Sequence, residues 1–152
     1  MRSARWRKHS KAQTIVKSAI LAAAKAVSTR PTELAIVLDD DSAIRALNRQ
    51  WRGQNAPTNV LSFPAASPGN RRSASPYIGD IVIAFQTTAR EAVAEGKPFG
   101  HHLAHLAIHG FLHLLGYDHD DDRDAATMER LERRILQRLA IPDPYAPRSA
   151  QS

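Results

Sequence analysis

The chain has 152 residues, of which 43% are hydrophobic, so it can bury one core without a covalent cross-link. It has no cysteine, which excludes disulfides and thiolate metal sites and leaves imidazole and carboxylate as the strong ligands for a transition metal. The net charge of +6 favours polyanionic partners such as nucleic acid, although solubility alone would also account for it. No apolar run has the length that a membrane crossing needs, so we expect one non-membrane domain over residues 1–152.

The chain begins with a basic, acid-poor segment that leads into a helical pattern. Apolar residues recur at three- and four-residue spacing between residues 12 and 27, which predicts a helix that Pro31 ends. Lys17 and Lys25 interrupt the apolar run that a secretory signal requires, so we expect a cytoplasmic protein, with an organellar transit peptide as the alternative. Residues 1–10 are expected to be flexible.

A strand and a second helix are predicted next. "ELAIVL" (33–38) is a short apolar run typical of a buried strand. The acids at positions 39–41 and Ser42 supply N-cap groups for a helix that runs to about Trp51. The predicted buried face of this helix consists of Ala43, Ile44, Leu47 and Trp51.

Two further strands flank a polar loop. "VLSFP" (60–64) predicts a strand, and the Pro-, Ser-, Gly- and Arg-rich residues 65–77 predict an exposed loop. "YIGDIVIAF" (77–85) is the strongest strand pattern, because β-branched and aromatic residues dominate it and Gly79 bounds it. A helix up to Gly96 follows.

Two more helices complete the predicted domain. The first spans about residues 98 to 115 and stops at Gly116, and the second spans about residues 121 to 139. Residues 142–152 are expected to be a flexible, frayed tail. Helices combined with few strands of unequal spacing predict an α/β or α+β domain without a repeat or a second core.

Six of the seven histidines lie between residues 101 and 119. His105, His109 and His113 follow one another at i, i+4 spacing and therefore share one face of their helix. The outer two would lie about 12 Å apart along the helix axis, whereas metal-binding imidazole nitrogens converge to about 2 Å from the ion. One i, i+4 pair can bind an ion, and a third ligand must come from elsewhere.

Gly116 selects the pair. A glycine with positive φ ends the helix one turn past His113 and lets the chain double back, which brings His119 toward His109 and His113. Three neutral nitrogen donors with an open fourth position are the layout of a catalytic zinc site, so we predict one zinc ion. Nickel, copper or cobalt would also fit imidazole ligands, and an isolated i, i+4 pair can be plain surface decoration.

Gly110 distinguishes this pattern from that of a peptidase. The spacing matches the zinc-peptidase pattern H-E-x-x-H-x-x-G-x-x-H, but Gly110 stands where those enzymes carry their glutamate base. The glycine is expected to leave space beside the metal for a larger group, which favours a substrate such as a phosphodiester. A metal-dependent peptide hydrolase is the less favoured alternative.

Four separated motifs together resemble the YbeY family of bacterial endoribonucleases: "NRQWRG" (48–53), "PTNVLSFP" (57–64), "GDIVIA" (79–84) and "HGFLHLLGYDH" (109–119). The resemblance implies an α/β fold with a short mixed sheet flanked by helices and a zincin-like metal helix. It also implies a zinc-dependent, single-strand-specific endoribonuclease of the cytoplasm that matures the 3′ end of 16S ribosomal RNA and takes part in ribosome quality control. The implied partners are single-stranded ribosomal RNA and the small ribosomal subunit.

The resemblance also implies functional residues. It places the three metal ligands on His109, His113 and His119 and a functional arginine on Arg52. We expect Arg52 to hold the scissile phosphate, because a guanidinium is always charged and can form two parallel hydrogen bonds to a phosphate. A solvated loop arginine is the alternative, and whether water or the RNA 2′-hydroxyl attacks stays open.

Weaker candidates for substrate binding are Thr58, Asn59, Ser62 and His105. The first three either line the cleft near Arg52 or make only the hydrogen bonds of a turn and a strand end. His105 either contacts the substrate or supports the first metal ligand, although a purely structural histidine is the favoured interpretation.

Other polar residues have two interpretations each. The aspartates after the glycine turn, Asp118 and residues 120–122, either orient His119 or cap the last helix. Asp80 either faces the site or bonds a backbone amide, and His101 and His102 are expected at the surface.

An RNA-binding factor for ribosome assembly is the main alternative function. Its zinc would be structural, with a fourth protein ligand such as Asp118 closing the site. The N-terminal topology is also open, because family members usually have a strand before the tryptophan that corresponds to Trp6 and only five residues precede it here. A sheet without that strand would have an unpaired edge.

Overall fold

A computed structural model of the chain describes residue 6 and residues 11–27, 32–65, 77–117 and 121–145. Its elements in chain order are α1 (Ala12–Ala26), β1 (Glu33–Asp39), α2 (Asp41–Arg52), β2 (Val60–Pro64), β3 (Tyr77–Ala84), α3 (Phe85–Ala94), α4 (Phe99–Leu114) and α5 (Asp122–Arg138). The predicted helices and strands are therefore all present. Phe85, which the sequence assigns to the strand, begins α3 instead, and Pro31 lies outside the described residues.

The three strands form a mixed sheet in the order β1-β3-β2. β1 pairs parallel with β3, and β2 pairs antiparallel with it, so the strand with the strongest apolar pattern is the central one. Gly79 lies inside β3 rather than at its start, with φ of +145°, beside a register shift between Glu33 and Leu34. The expected α/β class with a short mixed sheet flanked by helices is confirmed.

Side chains of the central strand alternate between two apolar layers. Ile81 and Ile83 belong to the main core with the buried residues of α4, whereas Val82 and Ala84 pack with Ile44 of α2. This alternation follows from the two-residue period of a strand. The helix α4 contacts the sheet and also α1, α3 and α5, and this central position explains why most of its residues are buried.

The predicted buried face of α2 is wrong at its last turn. Ile44 is buried and Leu47 packs against the small core on that side of the sheet, but Trp51 is 65% exposed. The apolar cluster under α2 ends with Leu47, so the helix carries Trp51 beyond the residues that could cover it. The predicted N-cap is confirmed, because the Asp40 carboxylate accepts a hydrogen bond from the Ala43 amide over 2.9 Å.

Both segments that are expected to be flexible contain described residues with tertiary contacts. Trp6 is fully buried, donates from Nε1 to the Asp39 carbonyl over 2.7 Å, and packs against Phe85 and Phe99. Of the expected tail, residues 142–145 are described, and the Tyr145 hydroxyl donates to a buried carboxylate of α5. The expectations for residues 1–5, 7–10 and 146–152, including an N-terminal strand, lie outside the described residues.

Within the part of the chain that the structure covers, no helix combines the length and the apolarity that a membrane crossing requires.

Candidate metal centre

Four of the five histidines of α4 form a row along one face of the helix. His102, His105, His109 and His113 follow one another at three- and four-residue spacing, and neighbouring ring centroids lie 6.3, 6.5 and 4.5 Å apart. The last pair is much the closest. The row therefore presents His109 and His113 as a unit and separates His105 from them.

The nitrogens of the close pair converge. Nε2 of His109 lies 3.0 Å from Nε2 of His113. Two imidazole nitrogens bound to one tetrahedral zinc ion at about 2.1 Å would lie roughly 3.4 Å apart. The pair thus fits a shared ion once the two rings move slightly apart. Nε2 of His105 does not join this pair, because it lies 2.8 Å from Glu132. This geometry agrees with the pair chosen from the sequence, and metal binding itself stays a prediction.

Gly116 ends α4 in the expected way. Its φ is +101°, its amide donates to the His113 carbonyl over 3.0 Å, and the Tyr117 amide donates to the Leu112 carbonyl over 3.0 Å. These bonds form a Schellman turn, whose left-handed position suits glycine. His119 lies outside the described residues, so its place as third ligand is untested. No three described His, Asp or Glu side chains are grouped so that they could hold a metal ion.

Glu132 on α5 joins the histidine row to the C-terminal segment. Its side chain is fully buried, and it accepts hydrogen bonds from Nδ1 of His109 over 2.7 Å and from Nε2 of His105 over 2.8 Å. The Tyr145 hydroxyl also donates to it. Because an ionised carboxylate only accepts, His109 carries its proton on Nδ1 and presents the lone pair of Nε2 to the cavity side.

The hydrogen bonds decide the charge of Glu132. Burial alone would raise the pKa of its carboxyl, but the bonds from His105 and His109 outweigh that effect and lower the pKa to about 2. The same contact acts in the opposite direction on the phenol, since burial and the bond to Glu132 raise the pKa of Tyr145 above its usual value. Glu132 is therefore a carboxylate at neutral pH.

The sequence contains a signal for Glu132. The buried residues of α5 are Met128, Glu132, Ile135 and Leu136, so a carboxylate occupies the apolar stripe of an amphipathic helix. Such a residue is almost never fully buried unless it has partners. For His105, the structure shows hydrogen bonding to Glu132, which agrees with a structural or supporting residue.

A cavity of about 570 Å³ lies against the close histidine pair. It brings together the predicted phosphate-binding arginine, the three weaker substrate candidates of the β2 region and the two histidines. Its lining consists of Asn48, Arg52, Gln54, Thr58, Asn59, Val60, Leu61, Ser62, Pro64, His109 and His113. Residues far apart in sequence thus share one cleft between α2, β2 and α4.

Two hydrogen bonds through Ser62 connect Arg52 to α4. Its Nη2 donates to the Ser62 carbonyl over 3.2 Å, and the Ser62 hydroxyl donates to the Gly110 carbonyl over 3.0 Å. Gly110 directly follows His109 in the chain. The exposed guanidinium is therefore held near the histidine pair by β2, although it comes from a different element.

The expected role of Gly110 is wrong. A Cβ atom at this position would lie 3.0 Å from Cγ2 of Ile81 and 3.2 Å from the Ser62 hydroxyl. The glycine therefore permits close packing of α4 on the sheet and does not leave space for a substrate group. A glutamate at this position would require Ile81 or Ser62 to shift, which argues against a peptidase that carries its base there.

Asn59 and His102 share a second carboxylate, Glu91 on α3. Asn59 Nδ2 donates to Glu91 over 3.0 Å, and His102 Nε2 lies 2.8 Å from the same oxygen. The expected surface position of His102 is wrong: it is 4% exposed, and burial lowers its pKa despite the carboxylate. His101 is partly exposed. Asn59 thus makes a structural bond and also lines the cavity.

The sequence leaves two interpretations for each of several aspartates, and the structure describes some of them. Asp121 caps α5, since its carboxylate accepts from the Asp124 amide over 2.8 Å. Asp80 lies on the face of β3 opposite Ile81, away from α4, and its buried Oδ1 has no hydrogen-bond partner among the described residues. Asp118 and Asp120 lie outside those residues.

Comparisons with known proteins identify a family and agree with the fold. The family described as Endoribonuclease YbeY matches residues 2–140. Curated proteins of that name from Rhodopseudomonas palustris strain BisA53 and Nitrobacter hamburgensis are 55% and 56% identical; each match covers 93% of this chain, and 84% and 77% of the relatives. The solution structure of TM1509 from Thermotoga maritima matches with a TM-score of 0.55, 22% identity and 91% of both chains covered, which is a likeness of fold. The chain therefore belongs to the endoribonuclease YbeY family.

Proposed function

We propose that this chain is a metal-dependent endoribonuclease that cleaves single-stranded RNA in the cavity between α2, β2 and α4. One observation carries the proposal: two imidazole nitrogens 3.0 Å apart face the same cavity as an exposed arginine. A bound cation and a guanidinium on one cleft wall are the groups that phosphodiester chemistry uses to neutralise charge. The family name adds the reaction class.

One zinc ion would be held by His109, His113 and His119. It would supply Lewis acidity for a phosphoryl oxygen and for the attacking hydroxyl or water. The chain's contribution is to fix the nitrogens beforehand. Glu132 accepts a hydrogen bond from Nδ1 of the His109 ring, so in the neutral ring Nε2 is the nitrogen without a proton and would be available to the cation.

Arg52 would bind the scissile phosphate. Its contact with the Ser62 carbonyl uses Nη2, and a guanidinium has five N–H donors in a planar fork. Donors on the remaining edge can therefore pair with two phosphate oxygens while the Ser62 contact fixes the plane of the group. Thr58 and Asn59 line the same cavity and would bind the sugar or a neighbouring phosphate.

The substrate would be single-stranded ribosomal RNA, with the 3′ end of 16S RNA and ribosome quality control as the cellular context. Support for this choice comes from the motif resemblance and from the net charge of +6. The protein would then act in the cytoplasm with the small ribosomal subunit as its partner. An assay on RNA of defined sequence can test the chemistry apart from the context.

The test is metal analysis and RNA cleavage by purified wild type, Arg52→Ala and His113→Ala, with Arg134→Ala as a matched control on the exposed face of α5. Arg52→Ala should keep the metal and the fold but lose at least about a hundredfold in cleavage. His113→Ala should lose both metal and cleavage, and Arg134→Ala should lose neither. Full cleavage by metal-free His113→Ala would overturn the mechanism, and cleavage absent from zinc-loaded wild type would favour an RNA-binding factor.

A further inference from the structure

The two tryptophans of the chain have opposite environments. Trp6 is fully buried, whereas Trp51 is 65% exposed on the last turn of α2. Trp51 directly precedes Arg52, whose side chain lines the cavity. An exposed indole loses the hydrophobic gain that burial would give, so its position beside a cleft suggests a role in binding.

The exposed face of α2 is basic. Arg45, Arg49 and Arg52 follow one another at four- and three-residue spacing, and all three are exposed. The acid at the start of the helix, Asp41, is engaged elsewhere, since its carboxylate accepts from the Thr87 hydroxyl over 2.9 Å and from Arg90 over 3.1 Å. A polyanion along α2 would therefore meet a row of three arginines. The indole of Trp51 lies beside the end of this row, about 100° around the helix axis from Arg52 and on the side of Leu47.

The other approach to His109 is less suited to a polyanion. A cavity of about 290 Å³ reaches His109 from the opposite end of the histidine row and is lined by Glu91 and Glu95. Lys97 also lines it, but its ammonium is paired with Glu95 over 3.0 Å. The charge distribution therefore favours entry over α2.

We propose that the C-terminal half of α2 binds single-stranded RNA, with a base stacked on Trp51 and the neighbouring phosphate at Arg52. Arg45 and Arg49 would pair with phosphates further along the strand. This inference rests on the proposed ribonuclease function and assigns a binding surface to it. A stacked base must present a free face, so Trp51 would favour unpaired over double-stranded RNA.

The first test is tryptophan fluorescence of metal-free protein with a short single-stranded oligoribonucleotide, so that binding is measured without cleavage. RNA should quench wild-type emission, while Trp51→Phe, which retains only Trp6, should bind within about threefold but show no quenching. Trp51→Ala should bind at least about fivefold more weakly, which is the lower end of the loss of one base stack. Leu21→Ala, an exposed apolar truncation on α1, should bind as wild type does.

The second test shows whether Trp51 binds a base. An oligoribonucleotide that lacks its bases but keeps its phosphates should bind wild type more weakly, and Trp51→Ala should lose much less on the same change. Arg49→Ala should lower the slope of log affinity against log salt by about 0.7, and Arg134→Ala should leave it unchanged. Equal affinity of wild type and Trp51→Ala for the intact strand would overturn the inference.

The two proposals can fail separately. If RNA binding depends on Trp51 but zinc-loaded protein does not cleave RNA, the ribonuclease function is contradicted and the RNA-binding surface is supported. If cleavage needs Arg52 and His113 but Trp51→Ala leaves KM and kcat unchanged, the ribonuclease function is supported and the RNA-binding surface is contradicted. The expected result is a raised KM for Trp51→Ala with kcat nearly unchanged, since the stack lies outside the reacting atoms.

Discussion

The hydroxyl of Ser62 donates to the main-chain carbonyl of Gly110 over 3.0 Å, and this bond joins strand β2 to the histidine-bearing helix α4. The bond is possible because Gly110 has no side chain and α4 can approach the sheet closely. The same strand residue accepts a hydrogen bond from Arg52 through its carbonyl. One serine therefore sets the distance between the predicted phosphate clamp and the histidine pair.

Gly110→Ala should destabilise the protein by about 1 kcal/mol. Alanine gains up to about 1 kcal/mol in helix propensity, but its methyl group would meet fully buried Ile81 at 3.0 Å, and overpacking costs about 1 to 3 kcal/mol. The rate of RNA cleavage should fall by more than the loss of folded protein accounts for, because the added methyl group displaces the hydrogen bond from Ser62 to the Gly110 carbonyl. Urea unfolding and RNA cleavage check both effects.

Gly100→Ala is the matched control on the same helix. Its Cβ would meet only the flexible end of Ile15, at 3.1 Å, so this variant should be neutral or slightly stabilising. If Gly110→Ala were as stable and active as Gly100→Ala, the close approach of α4 to the sheet would not matter for the site.

The sequence was informative where the structure depends on local spacing. The close pair His109 and His113 and the turn at Gly116 follow from helix geometry and from the conformational freedom of glycine, both of which act within one turn. Local spacing does not predict the environments of Trp51, Gly110 and Glu132. Each depends on what other elements place beside it: the extent of the apolar cluster under α2, the side chain of Ile81, and the histidines of α4.

Glu132→Gln should weaken zinc binding by about 10- to 100-fold. The amide is nearly isosteric, but it has one acceptor oxygen for the hydrogen bonds that His109, His105 and Tyr145 now donate to two. The His109 ring would then be held less firmly in the orientation that presents Nε2. Competition with a zinc chelator measures the affinity, and Glu33→Gln at the exposed first residue of β1 is the control. Unchanged affinity would show that Glu132 supports the fold and not the metal ligand.

The stability that Glu132 contributes should depend on pH in one direction. Its pKa is lowered from 4.5 to about 2 in the folded protein, so the carboxylate contributes fully above about pH 4.5 and loses its contribution as the pH falls toward 2. The contribution at neutral pH is on the order of 3 kcal/mol. In urea unfolding of metal-free protein, the difference between wild type and Glu132→Gln should shrink between pH 5 and pH 3. A difference that stays constant over this range would contradict the ionised, hydrogen-bonded carboxylate.

Tyr145→Phe should destabilise the protein by about 1.5 to 3 kcal/mol, because it removes a hydrogen bond to a buried charge and frees the segment after α5. Arg133 would hold part of that segment, since its Nε donates to Asp143 over 3.2 Å. The double variant with Glu132→Gln separates direct from indirect effects. If Tyr145 acts through Glu132, the losses in unfolding free energy of the two single variants should be non-additive by at least about 0.5 kcal/mol in the double variant. Simple addition would mean that Tyr145 stabilises the segment after α5 independently of the histidine row. Urea unfolding of the wild type, both single variants and the double variant at pH 7 completes this cycle.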